Sequence, residues 1–410
     1  MLVLPYDLNS NYTFKIAETK EELEEAFKIL HDAYVDIGFM SPHDSGMRVT
    51  VYHAIPQTTT VIAKYKEDVI GTVSIIRESP LGLPLDEDFD VSKVIKNSKN
   101  RAEISALAIH KKFRGNSGAV LLGLVKYICN YCTRYLEVDA VQIATSPARR
   151  DFYEALLSFE IVEDKIIKDN LVNGQEMMSL YLSKKHYLKS YQKNYDHKVK
   201  EKNLLHYIEE YEMPNLIFPE REYHFVNDPV MTPELMKYFF CEKTDKFNHL
   251  KSREKIALRN IYEDDLFLSV IPETPKNIVS FSKRSSARYA VNIPAQIQKK
   301  PGLKLVKNQH HIDDCKKHQF EVAEVSLNGF STKNLKKKFN PDDTYCVQLI
   351  IGPFKITSVE AKLAWSKGNS HAFKIIEHNN EWYDFINHLY MAINKKHKDH
   401  RSKSSSKKAI

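Results

Sequence analysis

The loop Arg114–Ala119 is the first stretch of the chain whose residue types could do chemistry. It lies between an apolar, β-branched run over Ala102–Ile109, which predicts a buried strand, and helical apolar spacing over Ala119–Ile128. Its members are Arg114, Gly115, Asn116, Ser117, Gly118 and Ala119. Glycine lets backbone N–H groups approach a ligand closely, and the dipole of the following helix favours an anion. The loop therefore predicts a site for a donor's phosphates; the alternative is an ordinary turn with solvated cations.

A second group of residues suited to anion binding lies in the last third of the chain. Arg284 and Arg288 stand four residues apart, and Ser326 and Gly329 follow later. A guanidinium group offers paired donors to phosphate oxygens or to the edge of guanine, and two of them can wrap a compact dianion. Ser326 can add a hydroxyl and Gly329 a close backbone approach. The alternative is a solvated basic turn.

The elements that must position the first site follow from hydrophobic periodicity. The predicted order is helix, hairpin, strand, loop, helix, strand, helix and two closing strands. These elements cover Glu18–Phe39, Thr58–Ala63 with Val69–Ile76, Ala102–Ile109, Ala119–Ile128, Ala140–Ala144, Ala148–Leu157, and Ile161–Ile167 with Met177–Leu182. The order predicts an α+β domain, a mixed sheet flanked by helices.

The remainder of the chain changes character twice. Lys184–Lys202 is rich in Lys and Tyr without a clear apolar face and predicts a linker, and a helical stretch over Thr232–Tyr262 begins with the plausible cap Thr232. Regular short alternating runs then predict a small β-barrel, closed by a helix over Glu381–Ile393. The runs are Tyr289–Ile297, Gln319–Ser326, Thr344–Ile351, Lys355–Leu363 and His371–Ile376.

The net charge of +7 is concentrated at the C-terminus. From Lys395 onward there are seven Lys or Arg and one Asp, so the preceding residues carry a net charge of only +1. The tail predicts a disordered, solvated end, with attraction to anionic lipid or RNA as the alternative, and no specific nucleic-acid binding is expected. Peripheral membrane contact would then occur through this tail.

Five cysteines and no long apolar run predict a cytoplasmic protein with reduced thiols. Cys129 and Cys132 form a C-x-x-C pair, but it lies within a predicted helix and no second pair completes a zinc site. We therefore expect packing thiols and no metal.

The first part of the chain resembles the GNAT acyltransferase superfamily, and more specifically the FeeM-type N-acyl amino acid synthases, relatives of the acyl-homoserine-lactone synthases. The resemblance covers roughly residues 10 to 185. It is carried by Glu78–Asp86, read ESPLGLPLD, by Ala102-Glu103-Ile104-Ser105 ahead of Leu107-Ala108-Ile109, and by Ser146-Pro147 ahead of Phe152–Leu156. The loop at Arg114 is a loose version of the GNAT pyrophosphate loop, with one residue too many before Gly118.

The resemblance implies roles for particular residues. Backbone N–H groups of Leu107, Ala108 and Ile109 would face a thioester carbonyl, while the loop would hold the phosphopantetheine arm of the donor. Glu103 would deprotonate the acceptor amine or bind its ammonium group, and Tyr153 would protonate the leaving thiolate. The helix with Tyr34, Asp36 and Phe39 would shape the acyl-binding side. The alternative for Glu103 is a strand glutamate that faces outward, and the alternative for Tyr153 is an aromatic side chain that serves only packing.

Two positions depart from the pattern of these relatives. Ala106 stands where relatives carry the arginine of Glu-x-x-Arg, and Arg149 stands where they often carry histidine. Loss of that arginine removes a carboxylate-binding group from the expected acceptor site. The acceptor would then be an amino acid held by another cation, or a different molecule.

The last part of the chain resembles PilZ domains, which bind the bacterial second messenger cyclic di-GMP. Arg284 and Arg288 match the first PilZ signature, and Glu324, Ser326 and Gly329 match the second, over roughly residues 280 to 392. Glu324 replaces the usual Asp or Asn, which keeps an acceptor but moves it one methylene further out. The substitution predicts weaker binding.

Together these observations predict four segments: a GNAT-like domain over 1–185, a linker and helical segment over 186–275, a PilZ domain over 276–393 and a basic tail over 394–410. The expected function is cyclic di-GMP-regulated transfer of a long acyl chain from acyl carrier protein, or from coenzyme A, to an amino acid. The rival hypotheses are a non-enzymatic cyclic di-GMP receptor with a degenerate GNAT scaffold and an ordinary acetyltransferase that uses coenzyme A.

Overall fold

The computed structural model describes residues 4–98, 100–115, 118–169, 172–220, 230–262, 265–274, 288–300, 317–333 and 335–389. The chain divides into two compact units, 1–219 with 228–278 and 220–227 with 279–410. Each unit is described by itself below. The predicted tail and Arg284 lie outside the described residues, as do Asn116 and Ser117.

The first unit is built on an eight-stranded mixed sheet with the order β1-β2-β3-β4-β5-β8-β6, and β7 pairs with β8. Its strands are β1 Tyr12–Ile16, β2 Thr58–Tyr65, β3 Asp68–Arg77, β4 Arg101–Ile109, β5 Ala140–Thr145, β6 Glu160–Ile161, β7 Ile167–Asp169 and β8 Gln175–Ser183. The pairing of β4 with β5 is parallel, and the other ladders are antiparallel. The predicted hairpin and central strands are confirmed.

The helices of this unit pack on the sheet through apolar stripes. They are α1 Lys20–Asp36, α2 Ser92–Asn97, α3 Ala119–Arg134, α4 Lys184–Tyr195, α5 Pro233–Lys237, α6 Ser252–Ile261 and α7 Asp265–Leu268. Thr19 caps α1 because its hydroxyl accepts the Glu22 N–H at 3.1 Å. Thr232 caps α5 in the same way, through the Leu235 N–H at 3.2 Å, as predicted. The predicted long helix over Thr232–Tyr262 is divided into α5, a π-helical turn, a 3-10 turn and α6.

The prediction of a linker over Lys184–Lys202 is wrong, because α4 occupies most of this segment. Tyr187, Tyr191 and Tyr195 recur every fourth residue and form a buried face, with exposed fractions of 5% or less. The Ser183 hydroxyl caps the helix by accepting the His186 N–H at 3.2 Å. The sequence signal for this helix was therefore a stripe of tyrosines rather than a stripe of aliphatic residues.

A second correction concerns the helix predicted over Ala148–Leu157. This segment forms a 3-10 turn over Pro147–Arg149 and a π-helical turn over Phe152–Leu156. Such turns often mark functional sites, since a π-helical turn displaces side chains from regular helical positions.

The second unit is a closed antiparallel barrel with the order β10-β11-β14-β13-β12-β9. Its strands are β9 Tyr289–Lys299, β10 His318–Ser326, β11 Gly329–Lys333, β12 Thr344–Gly352, β13 Lys355–Lys367 and β14 Ser370–His378. A final helix, α8 over 380–389, contributes Trp382, Phe385 and Leu389 to the barrel's core. The predicted fold class is confirmed, although β11 in this unit and β1 in the first unit were not predicted.

Candidate functional site

A gap between β4 and β5 is the main feature of the first unit. Among the described residues these strands pair over Arg101–Glu103 and Ala140–Gln142 alone, so that the rest of β4 separates from β5. A cavity of about 290 Å³ occupies the region around this gap. Its lining is mostly apolar and includes a few polar side chains, which is the usual character of a small-molecule site.

A β-bulge shapes the wall of the cavity on β4. Ser74 pairs with Ser105 and Thr72 with Ala108, so that Ala106 and Leu107 together oppose Val73. Ala106 takes a φ of +54°, a left-handed conformation that costs energy in a residue with a Cβ and often occurs at functional sites. Of the residues predicted to face a thioester, Leu107 lines the cavity, whereas Ala108 is buried in the core cluster that contains α1. The Ile109 carbonyl accepts a hydrogen bond from Arg114.

Glu103 places a carboxyl group in the wall of this cavity. It is 2% exposed, so it is not an outward-facing strand glutamate. The backbone N–H of Leu85 donates to its Oε2 at 2.9 Å. Burial raises the pKa of Glu103 to about 8, although that hydrogen bond opposes the change. Its pKa therefore suits proton transfer near neutral pH.

The turn that carries Leu85 is held by a buried ion-pair network. Arg101, 3% exposed, binds both carboxylate oxygens of Asp86 at 3.1 and 3.0 Å and Glu78 Oε1 at 2.7 Å. The Gln142 amide joins the network by donating to Asp86 Oδ1 and accepting from Arg101 Nη1. Because Leu85 precedes Asp86, the network positions the N–H that contacts Glu103.

A cationic group also lines the cavity. The Arg48 guanidinium sits over the Tyr34 ring, 4.5 Å from its centroid, and both residues line the cavity together with Asp169. Burial lowers the pKa of Arg48 and raises that of Tyr34. The charge of Asp169 acts on Arg48, Tyr34 and Glu103, which brings these groups into one electrostatic environment.

His53 also lines the cavity, but its protonation state makes it a poor base. Burial lowers its pKa to about 4. The Thr50 N–H donates to Nδ1 at 3.0 Å, so the proton of the neutral ring lies on Nε2, which is 3.3 Å from Ser74 Oγ. His53 is therefore neutral at physiological pH, and the imidazole is directed towards Ser74 as a donor.

Tyr153 lies on the π-helical turn and lines the same cavity as Glu103. Its ring packs edge-on against Phe152 and Phe159, with centroid distances of 5.2 and 5.7 Å. Burial raises the pKa of the phenol, which keeps its proton available for donation. The structure thus brings Glu103 and Tyr153 into the wall of one cavity, and their catalytic roles remain predictions.

The predicted phosphate loop lies at the start of α3. Gly118 precedes the helix with a φ of +74°, a conformation that favours glycine. Arg114 is exposed and donates to the Ile109 carbonyl at 2.8 Å and to Asp36 Oδ2 at 3.1 Å. Gly115 has open space around its Cα, and Ala119 begins the helix. Lys111 and Lys112 are exposed beside the loop.

Residues of α3 and α4 contribute to the wall of the cavity. Cys129 and Cys132 from α3 line it, and burial raises the pKa of both thiols, which keeps them protonated and unreactive. Tyr187 and Tyr191 from α4 line it as well. Among the described residues, no group of three or more His, Cys, Asp or Glu side chains could hold a metal ion. In the same residues, no helix has the length and hydropathy needed to cross a bilayer.

The second predicted site lies on the barrel, where β10 turns into β11. Arg288 Nη1 is 3.5 Å from Glu324 Oε2, and the Ser331 hydroxyl contacts the same oxygen at 3.3 Å. The Ser326 hydroxyl donates to the Gly329 carbonyl. A Cβ at Gly329 would meet the Phe373 carbonyl at 2.6 Å, so glycine is needed here for strand packing in any case. The local structure thus accounts for part of the motif without a ligand.

Comparison with known proteins finds a family match for part of the first unit. Residues 25–180 match the family model described as N-acyl amino acid synthase FeeM. This segment begins in α1 and ends in β8, and it includes the described sheet around the cavity. The matched part of the chain is an acyltransferase. A comparison with curated proteins finds no significant match.

Several solved structures are similar to this chain. The N-acyl amino acid synthase FeeM from uncultured soil microbes is 20% identical, covers 43% of this chain and 94% of its own, and has a TM-score of 0.38. The acyl-homoserine-lactone synthase LasI is 14% identical over 43% of this chain and 91% of its own, with a TM-score of 0.33. The CoA-dependent synthase BjaI, solved with SAM and isopentyl-CoA, is 14% identical over 51% and 94%, with a TM-score of 0.36.

Sequence reasoning missed several residues that line the cavity. Arg48 lies in an irregular segment, and Asp169 ends a short strand, so neither belongs to a recognisable motif. The contact of the Leu85 N–H with Glu103 depends on a turn 18 residues away in sequence. The tyrosine stripe of α4 was the one missed feature with a clear periodic signal.

Proposed function

We propose that this acyltransferase moves a long acyl chain from a thioester to the α-amine of an amino acid. The observation that carries the proposal is a mostly apolar cavity whose lining includes both a buried carboxyl, Glu103, and a guanidinium, Arg48. An amino acid presents an ammonium and a carboxylate, which are the complementary groups. Arg48 would supply the cation for the acceptor carboxylate, because Ala106 stands where relatives carry an arginine.

In the proposed reaction, Glu103 in its ionised form takes one proton from the acceptor ammonium. The neutral amine attacks the thioester carbonyl, and backbone N–H groups of the bulged part of β4 stabilise the oxyanion. Collapse breaks the C–S bond and forms the amide. Tyr153 donates a proton to the thiolate and recovers one from the former amine nitrogen, which balances the protons.

The donor in this proposal is the phosphopantetheine thioester of acyl carrier protein, with acyl-coenzyme A as the second candidate. The positive end of the α3 dipole and the exposed Arg114 support an anion at the loop. Lys111 and Lys112 offer exposed positive charge to an acidic carrier protein.

The test is a transfer assay with purified protein, acylated carrier protein or acyl-coenzyme A, and single amino acids, followed by mass spectrometry of the products. We expect an N-acyl amino acid with at least one acceptor and faster transfer from the carrier protein than from coenzyme A. Absence of amide product with every acceptor, while the thioester stays intact, would refute the proposal. Product from acetyl thioesters alone would instead identify an ordinary acetyltransferase.

Cyclic di-GMP is the proposed regulator, bound by the barrel through Arg284, Arg288, Glu324, Ser326 and Gly329. The exposed positions of Arg288 and Glu324 support this assignment. Binding can change the rate only if the nucleotide favours one of two states of the enzyme. Together with the proposed domain limits 1–185, 186–275, 276–393 and 394–410, this describes a cytoplasmic enzyme under second-messenger control.

Calorimetric titration with cyclic di-GMP tests the regulatory site. We expect binding by the intact protein and its loss in Arg284→Ala and Arg288→Ala. Arg253→Ala is the matched control, because Arg253 is an exposed, ion-paired arginine of the other unit. If the intact protein gives no heat of binding, cyclic di-GMP is not a ligand of the barrel. The acyltransferase proposal would not be affected by that result.

A further inference from the structure

Aromatic side chains of α4 form part of the wall of the cavity. Tyr187 and Tyr191 stand one helical turn apart, their ring centroids are 4.4 Å apart, and both line the cavity. They are 5% and 1% exposed, so the rings are packed on their other sides. Across from them lie Cys129 and Cys132 of α3.

Hydrogen bonds fix the two rings in place. The Tyr187 hydroxyl contacts Glu209 Oε1 at 2.5 Å, and the Tyr191 hydroxyl contacts the Leu157 carbonyl at 3.3 Å. Because each hydroxyl is bound to a partner, the cavity is bounded by ring atoms whose positions are set by those contacts. A flexible aliphatic side chain would yield to a longer ligand more easily.

The helix itself is also fixed relative to the sheet. Ser183 is both the last residue of β8 and the N-cap of α4, so no loop separates the strand from the helix. The Ser183 hydroxyl accepts the His186 N–H at 3.2 Å and thereby secures the first turn. The distance between the tyrosine rings and the sheet is therefore constrained by covalent connection.

We propose that Tyr187 and Tyr191 are specificity-determining residues that set the longest acyl chain the enzyme accepts. The inference rests on the proposed function, in which the acyl chain lies in the cavity against the apolar side chains of α3 and α4. Each methylene that fits gains contact with apolar surface, whereas a methylene beyond the rings must displace a packed, hydrogen-bonded aromatic group. Affinity should therefore rise with chain length and then stop rising at a defined length.

The test measures binding of saturated fatty acids of increasing length to the full chain by calorimetry. For the intact protein we expect affinity to increase about fourfold per methylene up to a limit. In Tyr187→Ala and Tyr191→Ala the limit should move to chains about two or more carbons longer, since the missing ring leaves apolar volume. Tyr187→Phe should keep the limit, because it retains the ring.

Tyr195→Ala is the matched control. Tyr195 is a buried tyrosine of the same helix, and its hydroxyl donates to the Leu156 carbonyl at 2.7 Å, but it is not among the residues that line the cavity. Its removal should lower stability without moving the limit. Tyr191→Trp adds bulk and should shorten the limit, which provides a second readout if an alanine variant does not fold.

The outcomes separate this inference from the proposed function. No binding of any fatty acid by the intact, folded protein would refute the acyl-chain assignment of the cavity as a whole. Binding with the same length limit in folded Tyr187→Ala, Tyr191→Ala and Tyr191→Trp variants would refute the role of the tyrosines and leave the proposed function standing. The product lengths in the transfer assay should move with the binding limit.

Discussion

The backbone N–H of Leu85 donates a hydrogen bond to the buried Oε2 of Glu103 at 2.9 Å. The next residue, Asp86, is bound by both terminal nitrogens of Arg101. The acid in the cavity wall is thus positioned by a surface-proximal turn that an ion pair holds against the sheet. Several predictions about rate and stability depend on this arrangement and on the groups that share the cavity.

Transfer should become faster as the pH rises through about 8. Burial raises the pKa of Glu103 to about 8, so the carboxyl is neutral below that pH and becomes a base above it. Measurement of kcat/KM across this range should give a rise with a midpoint near 8. In Glu103→Gln the rate should fall by about 100-fold or more and this midpoint should disappear. An identical profile in the variant would show that Glu103 is not the base.

The same raised pKa has a consequence for stability. The stabilising contribution of the neutral carboxyl is complete below the pKa of the unfolded chain and is lost as the pH rises through about 8. Glu103→Gln should therefore be more stable than the intact protein at alkaline pH and closer to it at acidic pH. Urea denaturation at both pH values measures this difference.

Arg48→Ala should weaken binding of the amino acid acceptor. Loss of a charge-assisted contact with the carboxylate costs about 2 kcal/mol or more, which corresponds to a roughly 30-fold higher KM. The control substrate is the corresponding amine without a carboxylate, whose KM should not change. Equal effects on both substrates would indicate a structural role for Arg48 in its contact with Tyr34.

Arg101→Met should destabilise the first unit by about 3–5 kcal/mol, since it leaves the carboxylates of Glu78 and Asp86 without their buried partner. The matched control is Arg253→Met, which breaks the exposed pair with Glu87 on the same turn and should cost about 1 kcal/mol or less. Thermal unfolding of both variants tests the difference. Similar costs for the two variants would mean that the Arg101 network does not hold the turn.

Gly123→Ala should be strongly destabilising because α3 lies directly against β1 at this position. A Cβ on Gly123 would stand 2.1 Å from the Phe14 ring, so that the ring or the helix must shift, at a cost of about 1–3 kcal/mol or more. At Gly115 a Cβ would meet open space, and Gly115→Ala should leave the melting temperature nearly unchanged. Unchanged stability of Gly123→Ala would show that the helix moves easily on the sheet.

Lys111→Glu with Lys112→Glu should raise the KM for an acylated carrier protein and leave transfer from a small acyl-pantetheine thioester unchanged. Both lysines are exposed beside the loop, so the change alters long-range charge without altering the cavity. The dependence of KM on salt should become weaker in the variant. Equal KM values for the intact and variant proteins would exclude these lysines from carrier recognition.

The sequence predicted the sheet and the barrel where local patterns were strong. Strand-like apolar runs identified β2 and β3, alternation identified the barrel strands other than β11, and apolar spacing identified α3, because these signals arise from the residues' own neighbours. The resemblance directed attention to Glu103. The separation of β4 from β5 could not be predicted, since it depends on long-range pairing and on a bulge at Ala106, and Arg48 joined the site through tertiary packing alone.

The parallel ladder between β4 and β5 contains three residue pairs. It is the described pairing between the two halves of the sheet, and residues of both strands beyond it line the cavity. An acyl chain lying in that space would supply packing that the polypeptide leaves out, and the substrate would complete the core of its own enzyme. The empty protein would then be the looser molecule, opening first along this seam when it is heated or pulled.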